Sequence, residues 1–207
     1  MNFLILVTLI SIIRYLISGL FTFFTFNDPK KYSFKITVMQ SILYSICLAL
    51  FKIFVIDSPI ITFVSAMVIF GCLLLKKDIK ILKITFTYSL LMGCLLEYTH
   101  FLIFEIVSNI WQKLGIPDVT FDQSNEMLVS RTIILVLYTI TLLLIYKSNK
   151  INIKSVCKLA NYIVFPIFFI IALGVIVFLK YHIKYTISNE FHGVLSVIFV
   201  SFIILTL

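Results

Sequence analysis

Most of this 207-residue chain is apolar, 61% hydrophobic against 13% charged, so an ionisable side chain inside an apolar run marks a place where chemistry beyond packing is possible. Arg14 lies in the middle of the run Phe3–Phe26. At the centre of a lipid-embedded helix an uncompensated charge costs at least about 2.5–3.5 kcal/mol, so the guanidinium must meet a carboxylate or water. Its neighbours define the side on which that happens. Thr8, Ser11, Tyr15, Ser18, Thr22 and Thr25 recur at spacings of three and four, which lays a polar seam along one helix face, with Ser11, Arg14 and Ser18 on it.

Glu97 is the matching anion. Thr85, Ser89, Gly93 and Glu97 stand four apart in succession, so small residues that permit close helix approach lead along one face to a carboxylate. At 1.5 Å per residue, Arg14 and Glu97 lie at depths of roughly 16 and 15 Å from the same end of a bundle. A buried Arg14–Glu97 pair is therefore predicted. Two readings of it stay open: it fixes helix register only, or it forms the polar floor of an outward-facing pocket.

Glu97-Tyr98-Thr99-His100 also spells Glu-x-x-His, the spacing of di-metal helical bundles. Those sites need a second such motif and further helix-borne carboxylates, which the sequence lacks, so no metal is assigned. His100 is read as an interior hydrogen-bonded histidine or as a ligand contact. Glu105, two turns beyond Glu97, falls near the outer interface, and Trp111, in the connection that follows, suits an interfacial anchor. Arg14, Glu97, His100, Glu105 and Trp111 make up the candidate ligand-binding set. Asp118, Asp122 and Glu126 form an acidic ridge if their stretch is helical, either as a solvated face or against a cationic or amphipathic external ligand.

Catalytic patterns do not occur. The sequence has no phosphate-binding Gly-rich loop, no His-Glu-x-x-His and no Gly-x-Ser-x-Gly. Cys47, Cys72, Cys94 and Cys157 include no Cys-x-x-Cys pair and read as packing residues. Cys94 and His100 are six apart, about 600° around a helix and hence on opposing faces, which argues against a dyad within that helix. No catalytic residue and no cofactor is assigned.

The elements that must position these groups are apolar runs: Phe3–Phe26, Phe34–Ile56, Pro59–Leu75, Ile84–Val107, Leu128–Tyr146, Leu159–Leu179 and His192–Leu207. With a mean hydropathy of +1.14 and no barrel-like alternation, they read as membrane helices, whose backbone groups bond within the segment. Asn27-Asp28-Pro29, Asp57-Ser58-Pro59 and Gly115-Ile116-Pro117 punctuate them; Pro166 should kink the sixth near Tyr162. The expected fold is one all-α, polytopic transmembrane bundle over residues 1–207, with six complete spans and a seventh cut short at Leu207. A longer parent protein continuing into the cytoplasm is expected on that ground.

Orientation follows from the cations. The first, third and fifth connections hold 11 lysines, whereas the second, fourth and sixth hold 5 cations, so the odd connections are cytoplasmic and the N-terminus is outside. The net charge of +8 then reads as attraction to an anionic inner leaflet, at roughly 1 kcal/mol per cation near the surface. Nucleic acid is not a partner, because the cations are divided among three short turns. Lys147, Lys150, Lys154 and Lys158, spaced three, four and four, would line a helix lying on that inner surface.

In this layout of seven spans, with an outside N-terminus, Leu73-Leu74-Leu75-Lys76-Lys77 leading to a fourth helix that bears Glu97, and an open C-terminal end, the chain resembles the membrane sensor of AgrC-type (GHKL class) peptide-sensing histidine kinases. The resemblance implies a quorum-sensing receptor of a two-component system that binds a secreted peptide outside and signals through its last helix to a cytoplasmic region. A homodimer is implied too. The chain holds no phosphoacceptor histidine segment and no ATP-binding motif, so kinase activity is not assigned to it. The rival expectation is the substrate-binding membrane subunit of a small-molecule uptake transporter. Such subunits favour Gly-rich broken helices, and only six glycines are present.

Overall fold

The computed structural model describes residues 3–27, 33–54, 58–75, 81–114 and 125–148. Its five helices are α1 (Phe3–Phe26), α2 (Phe34–Phe54), α3 (Ser58–Leu74), α4 (Leu82–Lys113) and α5 (Asn125–Lys147), and no strand occurs among the described residues. The first five apolar runs thus form helices within a few residues of their expected bounds, except at one end. The connection expected from Ser108 is helical as far as Lys113, because nothing in Ser108–Lys113 breaks a helix before Gly115. Trp111 accordingly sits on the last turns of α4, not in a loop. The sixth and seventh runs, Pro166, and the acidic ridge from Asp118 to Asp122 lie outside the described residues.

Among the described residues, four stretches are long and apolar enough to cross a membrane: Ile5–Phe26, Phe34–Lys52, Leu82–Lys113 and Met127–Lys147. α3 is shorter, with an apolar stretch of Ile61–Leu74. Pro59 in its first turn costs it little, since the missing N–H would lack a helical partner there anyway.

Contacts run α1 to α2, α2 to α3, α3 to α4, α4 to α5 and α5 back to α1, closing a ring in which sequential helices alternate in direction. Two glycines set how closely the ring closes. A Cβ on Gly19 would come within 3.0 Å of the Ser41 carbonyl on α2, and one on Gly93 within 2.9 Å of the Ala66 Cβ on α3. The small-residue stripes of α2 and α4 are therefore packing surfaces, as in membrane helix pairs: Ser41, Ser45, Thr85 and Ser89 are all buried. The hydroxyls of Ser41, Ser45 and Ser89 turn back onto the carbonyls of Thr37, Ser41 and Thr85, one turn earlier, which satisfies them without a partner helix, whereas Thr85 Oγ1 finds no partner among the described residues.

The interior holds polar side chains alongside an apolar core, while large apolar side chains also face outward. Arg14, Ser18, Thr22, Gln40 and Ser65 are buried, while Leu9 and Ile12 on α1, Met39, Ile46 and Leu50 on α2, and Val136, Ile140 and Leu143 on α5 are exposed. In water such stripes of Leu and Ile would be driven inward.

At the end of the bundle far from the start of α1, three helices are joined by one polar chain. The Asn27 amide donates to Thr37 Oγ1 at 3.1 Å and to Gln40 Oε1 at 2.9 Å, and Gln40 donates in turn to the Cys72 carbonyl at 2.8 Å. Tyr44 and Ser65 join α2 to α3 at 2.7 Å. Across the ring, Tyr88 on α4 donates to the Thr22 carbonyl at 2.8 Å and packs on Phe26 with ring centroids 4.7 Å apart.

Candidate functional site

The predicted pair forms. Arg14 Nη2 on α1 lies 3.5 Å from Glu97 Oε2 on α4, and the two side chains are 9% and 10% exposed. It is a single long contact, not the forked pairing a guanidinium can make with a carboxylate, so most of the Arg14 donors are left to other partners. The guanidinium also stands 4.5 Å from the centroid of the Tyr15 ring, a favourable placement over a π face.

A second polar chain holds this half of the ring together. Ser18 donates its one proton to the Arg14 carbonyl at 2.8 Å. The 2.8 Å contact between Ser18 Oγ and Tyr138 Oη must then be donated by the tyrosine. Tyr138 belongs to α5, and its ring meets His100 of α4 edge-on with centroids 5.8 Å apart. α1, α4 and α5 thus converge on Arg14, Ser18, Tyr138 and His100.

Beside them is a cavity of about 40 Å³, lined by Arg14, Lys52, Arg131 and His100 together with Ser11, Phe104 and the aliphatic Ile10, Ile134 and Leu135. Lys52 reaches in from the last turn of α2, with Nζ 3.5 Å from Ser11 Oγ. Arg131 comes from α5, and its Nε is buried with no hydrogen-bond partner among the described residues. No carboxylate lines the cavity among the described residues.

Arg14 and His100 line the cavity, and Glu97 reaches it through Arg14. The other two candidates stand apart. Glu105 is half-buried on α4 outside the lining, and Trp111 packs against the core with an indole N–H that finds no partner among the described residues. Lys52, Arg131 and Tyr138 were not among the candidates. Lys52 and Arg131 are two of the five cations that the lysine and arginine count gives to the second, fourth and sixth connections, yet both lie within helices. Their signal was a cation inside an apolar run, one turn from its end, the same kind of signal that singled out Arg14.

Among the described residues no group of three or more His, Cys, Asp or Glu side chains is placed to hold a metal. No family model, curated protein or solved structure matches this chain. Chemically, the arrangement offers positive charge and N–H donors around a small, partly open space with an aliphatic and aromatic rim, which is the equipment of recognition.

Proposed function

We propose that the chain is a multi-pass membrane protein acting as a receptor module, which takes up part of an extracellular peptide-like signal in the cavity beside Arg14. The membrane reading is supported by membrane-length apolar helices and by a surface whose stripes of Leu and Ile face outward. The observation that carries the receptor reading is the position of the cavity. Lys52 in the last turn of α2 and Arg131 near the start of α5 put it in the half of the ring that holds the start of α1 and the end of α4, and that half is the one the lysine distribution puts outside the cell.

Its size favours recognition over uptake. About 40 Å³ holds about three or four waters or one small functional group, at roughly 10–15 Å³ for each water-sized position. A transported vitamin would need a chamber for the whole molecule. In the histidine-kinase sensors that the chain resembles, such a signal would pass from the helix ring to a cytoplasmic region, and a paired copy of the chain would complete the unit.

The test is made on the full chain in lipid nanodiscs, mixed with fractions of medium conditioned by the cells that encode it. A fraction that raises the thermal unfolding midpoint, and loses that effect after protease treatment, is expected. Stabilisation that survives protease, or that no fraction provides, overturns the receptor reading. Tags near Lys80 and Lys154 should stay inaccessible from outside intact cells; labelling there overturns the orientation.

A further inference from the structure

The electrostatics of the cavity define what it can hold. Three fixed cations face it from three helices, Arg14 on α1, Lys52 on α2 and Arg131 on α5. Glu97 compensates one of them through a single contact. An excess of two positive charges is thus concentrated beside aliphatic walls in the described lining, where the low dielectric makes an uncompensated charge costly. The one hydroxyl in the lining, Ser11, donates to the Val7 carbonyl at 3.0 Å and accepts a single long contact from Lys52 at 3.5 Å, but a neutral oxygen leaves the net charge in place.

We propose that the cavity is a carboxylate-recognition site, in which Arg14, Lys52 and Arg131 together bind a carboxylate group of the ligand, either a free peptide C-terminus or an acidic side chain. That the carboxylate belongs to a peptide rests on the receptor reading; the chemistry of the site does not. A carboxylate brings two oxygens with about four acceptor positions, and the open donors here are a guanidinium held by one contact, a second whose Nε is unpartnered, and an ammonium. Bonds between such ions are short and roughly twice as strong as neutral ones. Phe104, Ile134 and Leu135 then cover the carbon beside the carboxylate, which a bare halide would leave uncovered.

A lipid phosphate is a poorer occupant. Lys52 lies in the last turn of α2 and Arg131 six residues into α5, but Arg14 lies eleven residues beyond Phe3 in α1, about 16 Å along the helix, a depth comparable with half of a hydrocarbon core about 30 Å thick. A phosphodiester would have to leave its own layer, with glycerol and acyl chains attached, to reach it.

The experiment uses the full chain in nanodiscs of zwitterionic lipid, titrated with N-acetyl-leucine, N-acetyl-leucinamide and sodium chloride at matched ionic strength, with the unfolding midpoint as readout. A saturable rise with the acid, and none with the amide or chloride, is expected. Lys52→Gln and Arg131→Gln should each weaken the apparent affinity by about tenfold, with Lys52→Arg and Arg131→Lys recovering part of it. Neither residue belongs to the Arg14–Glu97 pair, so two independent variants report without breaking that pair. Equal effects of acid and amide, equal effects of acid and chloride, no response to the acid, or unchanged affinity in both glutamine variants each overturn the proposal. So does a response abolished by adding anionic lipid to the disc, which would assign the site to a headgroup phosphate. An active peptide that keeps its effect after methyl esterification overturns the carboxylate site and leaves the receptor reading standing; an acid-specific response with no active peptide in the medium does the reverse.

Discussion

The two ends of the helix ring solve the problem of buried polarity in opposite ways. Around Asn27, neutral groups bond to one another in sequence, Asn27 to Thr37 and Gln40, and Gln40 to Cys72, so three helices are joined without a formal charge. Around Arg14 the polar groups are charged, unequal in sign and arranged beside open space. Apart from Asn27 Oδ1, which is buried with no partner among the described residues, the neutral groups around Asn27 satisfy one another, and such a network rigidifies what it touches. A cluster with surplus charge gains most when a further ion arrives, which is why the Arg14 end reads as the working end and the Asn27 end as its anchor.

The largest effect should come from removing one charge at the Arg14 end. Arg14→Leu leaves Glu97 in the interior without its guanidinium, and a change of this type costs about 3–5 kcal/mol. Equilibrium unfolding in mixed micelles measures it, and adding Glu97→Leu to the same chain should restore most of the loss by removing the stranded carboxylate. If the double variant is no more stable than the single one, Glu97 is held by other groups and the contrast between the two ends is weaker than drawn.

At the opposite end the same measurement should give a smaller number. Gln40→Leu keeps the side-chain volume roughly constant but strands the Asn27 amide, which retains only Thr37. Leaving a buried donor short of a partner costs about 1–3 kcal/mol. A loss equal to that of Arg14→Leu would show that the neutral network carries as much of the fold as the ion pair.

The difference between the ends also explains what could be read from the sequence. Arg14 and Glu97 were legible because each interrupts an apolar run and each is preceded by polar or small residues at helical spacing, and the pair forms as that spacing requires. The helices themselves were legible for the same reason, since apolar runs between breakers leave the backbone no other way to satisfy its bonds. Lys52 and Arg131 were not, because a cation near the end of a run is equally consistent with a solvated loop; only the packing of α2 and α5 against α1 and α4 brings them onto one cavity. The Asn27 network was equally hidden. It depends on which face of α2 meets α3, and although Thr37, Gln40 and Tyr44 recur at helical spacing, neutral polar residues in a run do not by themselves require a partner as a charge does. Trp111 shows the opposite error, in which the expectation of an interfacial loop gave way to a helix that no breaker stops.

The smallest effect tests whether the charged end is organised by its ion pair or by its tyrosine. Tyr138→Phe removes the hydroxyl that donates to Ser18, but Ser18 keeps its own bond to the Arg14 carbonyl, and the aromatic edge against His100 is preserved. No donor is stranded, so the loss should lie near the lower end of the range for one hydrogen bond, about 0.5–1 kcal/mol, with the response to N-acetyl-leucine retained. Arg14 is still held by Glu97 in that variant, and its position in the cavity does not pass through Tyr138. A destabilisation approaching that of Arg14→Leu, or loss of the response, would mean that the Ser18–Tyr138 contact sets the spacing of α1 and α5, and that the cations on those two helices, Arg14 and Arg131, are brought together by a neutral bond.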